Sequence, residues 1–139
     1  MIIRSSITED DFSLIASVVE YEFFAIVVSD AYKIARQIYG YTSSSKEAYY
    51  SLWKHKLKIL NTRLNHVLRS EEKQIELTDD DIKIILCSLL GDLYWTLHKS
   101  ENLKYANKED LDWITYERNL IRYLIALNPQ FKKFEKLLK

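Results

Sequence analysis

Two glutamates, Glu20 and Glu117, stand where helical periodicity predicts apolar side chains. At 100° per residue, each falls in the middle of the apolar arc of its helix, so both are expected to point inward. Burial raises a carboxyl pKa, and two close carboxyls titrate separately, which suits acid–base catalysis or metal binding. The alternative is a structural role, with each acid satisfied by a tyrosine hydroxyl, by Arg63 or by water. We favour this second interpretation and predict no catalytic residue, no metal and no cofactor.

The histidines do not extend these acids into a metal site. Bundles that hold two iron ions use Glu-x-x-His pairs, and the sequence contains none. His55 and His66 are separated by three helical turns, which is roughly 16 Å at 1.5 Å per residue and too far for one ion. Five basic residues near these histidines could bind along a phosphate backbone, but a solvent-exposed helix face explains them equally well. They are Lys54, Lys56, Lys58, Arg63 and Arg69.

One segment, Gly-Asp-Leu-Tyr-Trp-Thr-Leu at 91–97, resembles the second metal-binding helix of MazG-type nucleotide pyrophosphohydrolases, an all-helical family. That family binds magnesium through Glu-x-x-Glu and Glu-x-x-Asp pairs. Asp92 matches, but Leu89 stands where the preceding acid is needed, and Mg²⁺ held by one carboxylate binds weakly. The resemblance therefore implies at most a helical bundle that binds a nucleotide without hydrolysing it.

A second segment, Arg118 to Tyr123, resembles the Arg-Asn-x-x-x-His motif of HEPN-type ribonucleases, which are helical bundles of similar size. Tyr123 stands at the histidine position, and tyrosine is a poor substitute for imidazole in acid–base cleavage near neutral pH. The resemblance implies a degenerate, non-catalytic relative that would bind RNA or a nucleotide through Arg118, Arg122 and Tyr123.

Four capping patterns mark where the helices that carry these residues begin. In each, a small polar residue precedes an acid by three positions, and an apolar-periodic run follows. The polar side chain accepts from the free amides of the first turn, and the acid faces the positive end of the helix dipole. The four pairs are Thr8–Asp11, Ser44–Glu47, Thr78–Asp81 and Asn107–Asp110.

The predicted helices cover about 9–39, 45–69, 79–99 and 108–127, and no strand is predicted. Asn128 and Pro129 then read as the cap and first residue of a short helix that ends at Leu138. In the first helix, Glu22 is expected on the solvent face, and Ser13, Ser17 and Phe24 on the core face. The expected fold class is all-α: a single domain, residues 1–139, forming an up-down bundle of four long helices plus a short C-terminal helix.

Composition limits the classes of function. Twenty Lys and Arg balance 20 Asp and Glu, so the basic excess typical of nucleic-acid binding is missing and nucleic acid is not expected as a partner. The single cysteine, Cys87, cannot form an internal disulfide, which favours a reducing compartment. We find no signal-peptide pattern and no stretch suited to spanning a bilayer, so we predict a cytoplasmic protein without a membrane partner.

Aromatic residues are in surplus, with 10 Tyr, 3 Trp and 5 Phe, and Tyr and Trp are enriched at protein-binding hot spots. The helix over 79–99 is apolar on nearly all sides, which indicates a central position or a face covered by a partner, a second copy of the chain included. We predict a non-enzymatic module that occludes or bridges another protein, in the manner of an immunity protein, an antitoxin or a phage-encoded inhibitor. The predicted contact residues are Ile84, Gly91, Tyr94 and Trp95, followed by Tyr41 and Tyr50 in the turn over 39–50.

Overall fold

The computed structural model describes residues 2–3, 9–24, 30–39, 46–71, 75–102 and 108–138, and it confirms an all-α bundle. The helices are α1 (Glu9–Phe24), α2 (Asp30–Tyr39), α3 (Lys46–Leu68), α4 (Asp79–Asn102), α5 (Lys108–Leu127) and a C-terminal 3-10 helix (Pro129–Leu137). Two strands, β1 (Ile2–Ile3) and β2 (Ile75–Glu76), pair antiparallel. The sequence did not predict this pair, because two residues are too few to show the alternation of a strand.

The region predicted as one helix over 9–39 contains two helices in the described structure. α1 packs mainly against α3, whereas α2 packs mainly against α4. Their buried faces would not align in one uninterrupted helix: Ile15 and Ala31, both buried, would point about 160° apart at 100° per residue. A single apolar arc drawn over the whole region therefore assigns the wrong face to part of it.

α4 is the central helix of the bundle. It packs against α2, α5 and α1, and makes smaller contacts with α3 and the 3-10 helix. Its buried side chains occupy all sides of the helix, and they include Ile82, Ile84, Ile85, Leu86, Cys87, Leu89, Leu90 and Leu93. The nearly uniform apolar character of this helix is therefore explained by its central position.

α4 and α2 pack closely at Gly91. A Cβ atom on Gly91 would lie 3.0 Å from the backbone nitrogen of Ala31 and 3.5 Å from its Cβ. Ala31 and Ala35 are fully buried. Glycine at position 91 therefore allows the backbone of α2 to lie directly against α4.

The capping box predicted at the start of α4 is confirmed in both directions. The backbone amide of Asp81 donates to Thr78 Oγ1 at 3.2 Å, and the amide of Thr78 donates to Asp81 Oδ2 at 3.0 Å. Arg63 of α3 also donates to Asp81 Oδ2 at 2.8 Å. The other three cap residues, Thr8, Ser44 and Asn107, lie outside the described residues.

Two further helix ends differ from expectation. Lys54, assigned from sequence to a solvated basic face, donates from Nζ to the carbonyl oxygens of Glu22 and Phe23, both at 2.9 Å. It thereby places a positive charge at the negative end of α1. Asn128, predicted to cap the C-terminal helix, makes no side-chain capping bond and donates instead to the Leu124 carbonyl at 2.8 Å.

Candidate functional site

One of the two glutamates predicted to be buried is buried. Glu117 is 0% exposed, which confirms the prediction, whereas Glu20 is exposed and the prediction for it is wrong. Glu22, expected on the solvent face, takes the inward position instead at 5% exposed. The physical reason is the separate packing of α1 and α2, because the arc that placed Glu20 inside was drawn over both. Glu20 and Glu117 therefore do not form a pair.

Glu117 lies beside the side chains of Asp92 on α4 and Trp113 on α5. Neither of its carboxyl oxygens accepts a hydrogen bond from a described residue. Burial raises the pKa of Glu117 to about 9; the neighbouring Asp92 carboxyl adds to this rise, and the Trp113 indole opposes it. Glu117 is therefore a neutral carboxylic acid at pH 7, next to the carboxyl of Asp92.

Asp92 and Trp113 also form part of the wall of an open cleft of about 750 Å³ between α1, α4 and α5. The indole N–H of Trp113 donates to Asp92 Oδ2 at 3.2 Å, joining the α4 and α5 walls. Two further carboxylates, Glu109 and Asp112, line the cleft from the first turns of α5. The site is therefore acidic along two of its three helices.

Aromatic rings form another part of the cleft wall. The rings of Trp113 and Tyr116 stack with their centroids 6.0 Å apart and their planes 16° apart. The Tyr116 hydroxyl donates to Asp11, which connects α5 to the first turn of α1. Tyr21 is 71% exposed and Trp113 is 41% exposed. Accessible ring surface beside carboxylates is an arrangement that attracts positively charged groups.

The α1 wall of the cleft was missed by the sequence prediction. Ser13 and Ser17 were expected on the core face with Phe24, and all three are exposed. Ser13 and Ser17 line the cleft together with Tyr21. Ser13, Ser17 and Tyr21 are each four residues apart, which places them in one row on a helix. That spacing is the signal that could have indicated an exposed polar row on this helix.

The residues predicted to contact a partner lie in several environments. Ile84 is 1% exposed and lies in the core. Gly91 is buried against α2, so at Gly91 a helix of the same chain occupies the place predicted for a partner. Tyr94 is half-buried and donates its hydroxyl to the Leu137 carbonyl at 3.0 Å. Trp95 is 59% exposed and remains available. Tyr41 lies outside the described residues, and Tyr50 lies in α3 with its side chain outside the described part.

The remaining candidates for chemistry lie apart from the cleft lining. His55 and His66 are exposed, as predicted. Cys87 is fully buried, and burial raises the pKa of its thiol, which disfavours the reactive thiolate. In the segment 118–123, Arg118 is half-buried, and Asn119, Arg122 and Tyr123 are exposed. Among the described side chains, no three from Asp, Glu, His and Cys are grouped so as to hold a metal ion.

Comparison of the chain with protein-family models, with curated protein sequences and with solved structures finds no match. None of the described helices combines the length and apolar character needed to cross a membrane. The fold and the site define the chain as an all-α bundle with an acidic, aromatic-lined cleft between three of its helices.

Proposed function

We propose that this chain is a non-enzymatic module that binds a partner protein through the cleft between α1, α4 and α5. The observation that carries this proposal is the exposure of Tyr21 and Trp113 in the walls of one concave site. Large aromatic side chains left accessible in a cavity are typical of binding hot spots. A volume of about 750 Å³ falls in the range of ligand sites, and it is large enough for a short peptide segment.

Two hydrogen bonds join the walls of the cleft without a partner. The Trp113–Asp92 hydrogen bond joins α5 to α4, and the Tyr116–Asp11 hydrogen bond joins α5 to α1. Because these side chains are already held, binding a partner costs little ordering of the module itself. A rigid helical surface that covers a segment of another protein acts by occlusion, which is the mode expected of an immunity protein, an antitoxin or an inhibitor.

Asp92 can contact a ligand in the cleft directly, whereas Glu117 cannot. Asp92 lines the cleft, whereas Glu117 has no exposed surface. A buried acid with a raised pKa is the kind of group found in catalytic sites, but a general acid must reach the atom that it protonates. Glu117 therefore supports binding through its neighbour and is not proposed as a catalytic residue.

The proposal is tested by affinity capture from native lysate with wild-type protein and the double variant Tyr21→Ala/Trp113→Ala. The matched control is Trp95→Ala, which removes an exposed aromatic side chain outside the cleft lining. We expect a protein captured by the wild type and by the control but not by the double variant, with the mass of the eluted complex measured by light scattering. Equal capture by all three proteins, or turnover of a nucleic-acid strand by the purified chain, would contradict the proposal.

A further inference from the structure

The described lining of the cleft carries charge of one sign. Asp92, Glu109 and Asp112 contribute carboxylates, and the lining residues that the structure describes include no Lys, Arg or His. Opposite charge across an interface guides the encounter of two proteins and fixes their register. The complementary ligand is therefore positively charged.

Asp92 is the carboxylate best placed to anchor such a ligand. It is half-buried, so its interaction with a cation is screened less than that of the exposed Glu109 and Asp112. Its Oδ2 atom accepts one hydrogen bond, from Trp113, and a carboxylate offers about four acceptor positions. Acceptor capacity therefore remains for a ligand in the cleft.

Glu117 lies on the buried side of this part of the cleft wall. It is fully buried, and its oxygens accept no hydrogen bond from a described residue. Asp92 and Trp113, the two side chains that influence its pKa, both line the cleft. As a neutral acid it can donate a hydrogen bond to the Asp92 carboxylate while it adds no second negative charge. Trp113 thus acts as a positioning residue for Asp92 through its hydrogen bond, and Glu117 supplies a neutral neighbour on the buried side.

The aromatic part of the cleft wall is suited to a planar cation. The rings of Trp113 and Tyr116 are nearly parallel, at 16°, and a guanidinium group can stack on an aromatic face while it donates two hydrogen bonds to one carboxylate. The described side chains offer no group of three metal ligands. The volume of about 750 Å³ leaves room for the residues that flank an arginine in a peptide.

We infer that the cleft receives an arginine side chain from a segment of the partner protein, with its guanidinium group paired with Asp92 and stacked on Trp113. This inference rests on the proposed function and assigns the chemistry of the residue that the cleft recognises. Glu109 and Asp112, at the exposed end of α5, add attraction at longer range.

The test uses three matched pentapeptides with blocked ends, Gly-Ala-X-Ala-Gly, in which X is arginine, citrulline or lysine. Citrulline has nearly the shape of arginine but carries no charge. Each peptide is titrated into ¹⁵N-labelled full-length protein, and the indole N–H signals are followed; Trp113→Phe identifies the signal of Trp113. We expect the arginine peptide to shift that signal saturably, and the citrulline peptide to leave it in place.

Two variants connect the signal to Asp92. Asp92→Asn keeps the size of the side chain and removes its charge, and it should weaken binding of the arginine peptide by about tenfold or more. Glu135→Gln makes the same change of charge at an exposed position on the 3-10 helix, and it should leave the affinity unchanged. Circular dichroism of both variants confirms that they are folded.

Each other outcome contradicts the inference. Equal shifts with the arginine and citrulline peptides would show that the site does not recognise charge. Equal affinity for the lysine and arginine peptides would show that it does not recognise the planar guanidinium group. An absence of shifts with all three peptides, or an unchanged affinity in Asp92→Asn, removes the arginine assignment. None of these results affects the lysate experiment, in which Tyr21→Ala/Trp113→Ala tests protein binding itself.

Discussion

Gly91 and Asp92 are consecutive residues of α4, yet they belong to regions of opposite character. On the Gly91 side, α2 lies so close that a Cβ atom would come within 3.0 Å of the Ala31 backbone. On the Asp92 side, α4 borders an open cleft with carboxylates and exposed rings. About 100° of rotation around one helix separates the two regions.

This difference separates the part of α4 that stabilises the bundle from the part that we propose binds a partner. α4 packs closely against α2, because Gly91 has no side chain and the two backbones can come into contact there. At the cleft, by contrast, α4 carries the polar side chain of Asp92, and the surface around it is accessible. Substitutions on the first side should therefore change the free energy of unfolding, and substitutions on the second side should change binding.

The largest expected effect is that of Gly91→Leu. The added side chain must displace the backbone of α2, and overpacking of this kind is expected to lower the free energy of unfolding by about 3 kcal/mol or more. Urea denaturation followed by circular dichroism measures the change. The control on the same turn is Asp92→Ala, which loses the hydrogen bond from Trp113 and should lower the free energy of unfolding by about 1 kcal/mol; equal losses in the two variants would remove the contrast between the two sides.

The second effect is a pH dependence that originates at Glu117, behind the cleft wall. The folded protein holds this proton up to a pKa of about 9, whereas the unfolded chain releases it near the ordinary value of 4.5. The folded state thus binds more protons between these values, so stability from this group is complete below about pH 4.5 and falls as the pH rises toward 9. The limiting slope is about 1.4 kcal/mol per pH unit.

Glu117→Gln separates this group from all others that titrate. The amide remains neutral in both states and can still donate to Asp92, so the variant should lose the downward slope and exceed the wild type in stability at pH 8. Urea midpoints measured at each pH unit from 5 to 9 give the comparison. Parallel profiles for the two proteins would show that Glu117 does not retain its proton on folding.

The third effect concerns the end of α1, which carries Tyr21 of the cleft wall. Lys54→Met keeps the aliphatic stem but removes the two hydrogen bonds to the Glu22 and Phe23 carbonyls, and we expect a loss of about 2 kcal/mol. Lys58→Met, at an exposed position one turn further along α3, is the control and should change stability by less than about 0.5 kcal/mol. Equal effects would show that Lys54 does not anchor α1.

The smallest effect is that of Trp95→Ala, one helical turn beyond Asp92. Because this indole is 59% exposed, we expect unchanged helicity and a change in stability below about 0.5 kcal/mol. Binding of the arginine peptide, read from the Trp113 indole signal, should also be unchanged. A loss of circular dichroism signal would place Trp95 in the core, and a loss of peptide binding would extend the site to this residue.

Helix positions that depend on local chemistry were predictable from the sequence. The sequence predicts helices over 45–69, 79–99 and 108–127, and the structure has Lys46–Leu68, Asp79–Asn102 and Lys108–Leu127. The Thr78–Asp81 capping box follows from residue types three positions apart. The burial of Glu117 follows from the apolar neighbours on its own helix.

Features that depend on which helices meet were not predictable in the same way. The direction of Glu20 and Glu22 depends on α1 and α2 packing against different neighbours, and residue periodicity does not contain that information. The cleft brings together Ser17, Asp92 and Trp113 from three helices, although no short motif connects them. A sequence pattern indicates which face of a single helix is buried. It does not indicate which residues of three different helices meet, so it could not predict this cleft.

By itself, the sequence determined the all-α class, most helix ends and the presence of one acid within an apolar face. These are properties of neighbouring residues, set by backbone hydrogen bonding and the 3.6-residue repeat. The tertiary structure alone decided that α2 covers the Gly91 side of α4, and that Asp92 and Trp113 meet in front of Glu117. Those contacts join residues far apart in the chain, where burial and shape complementarity select the partners.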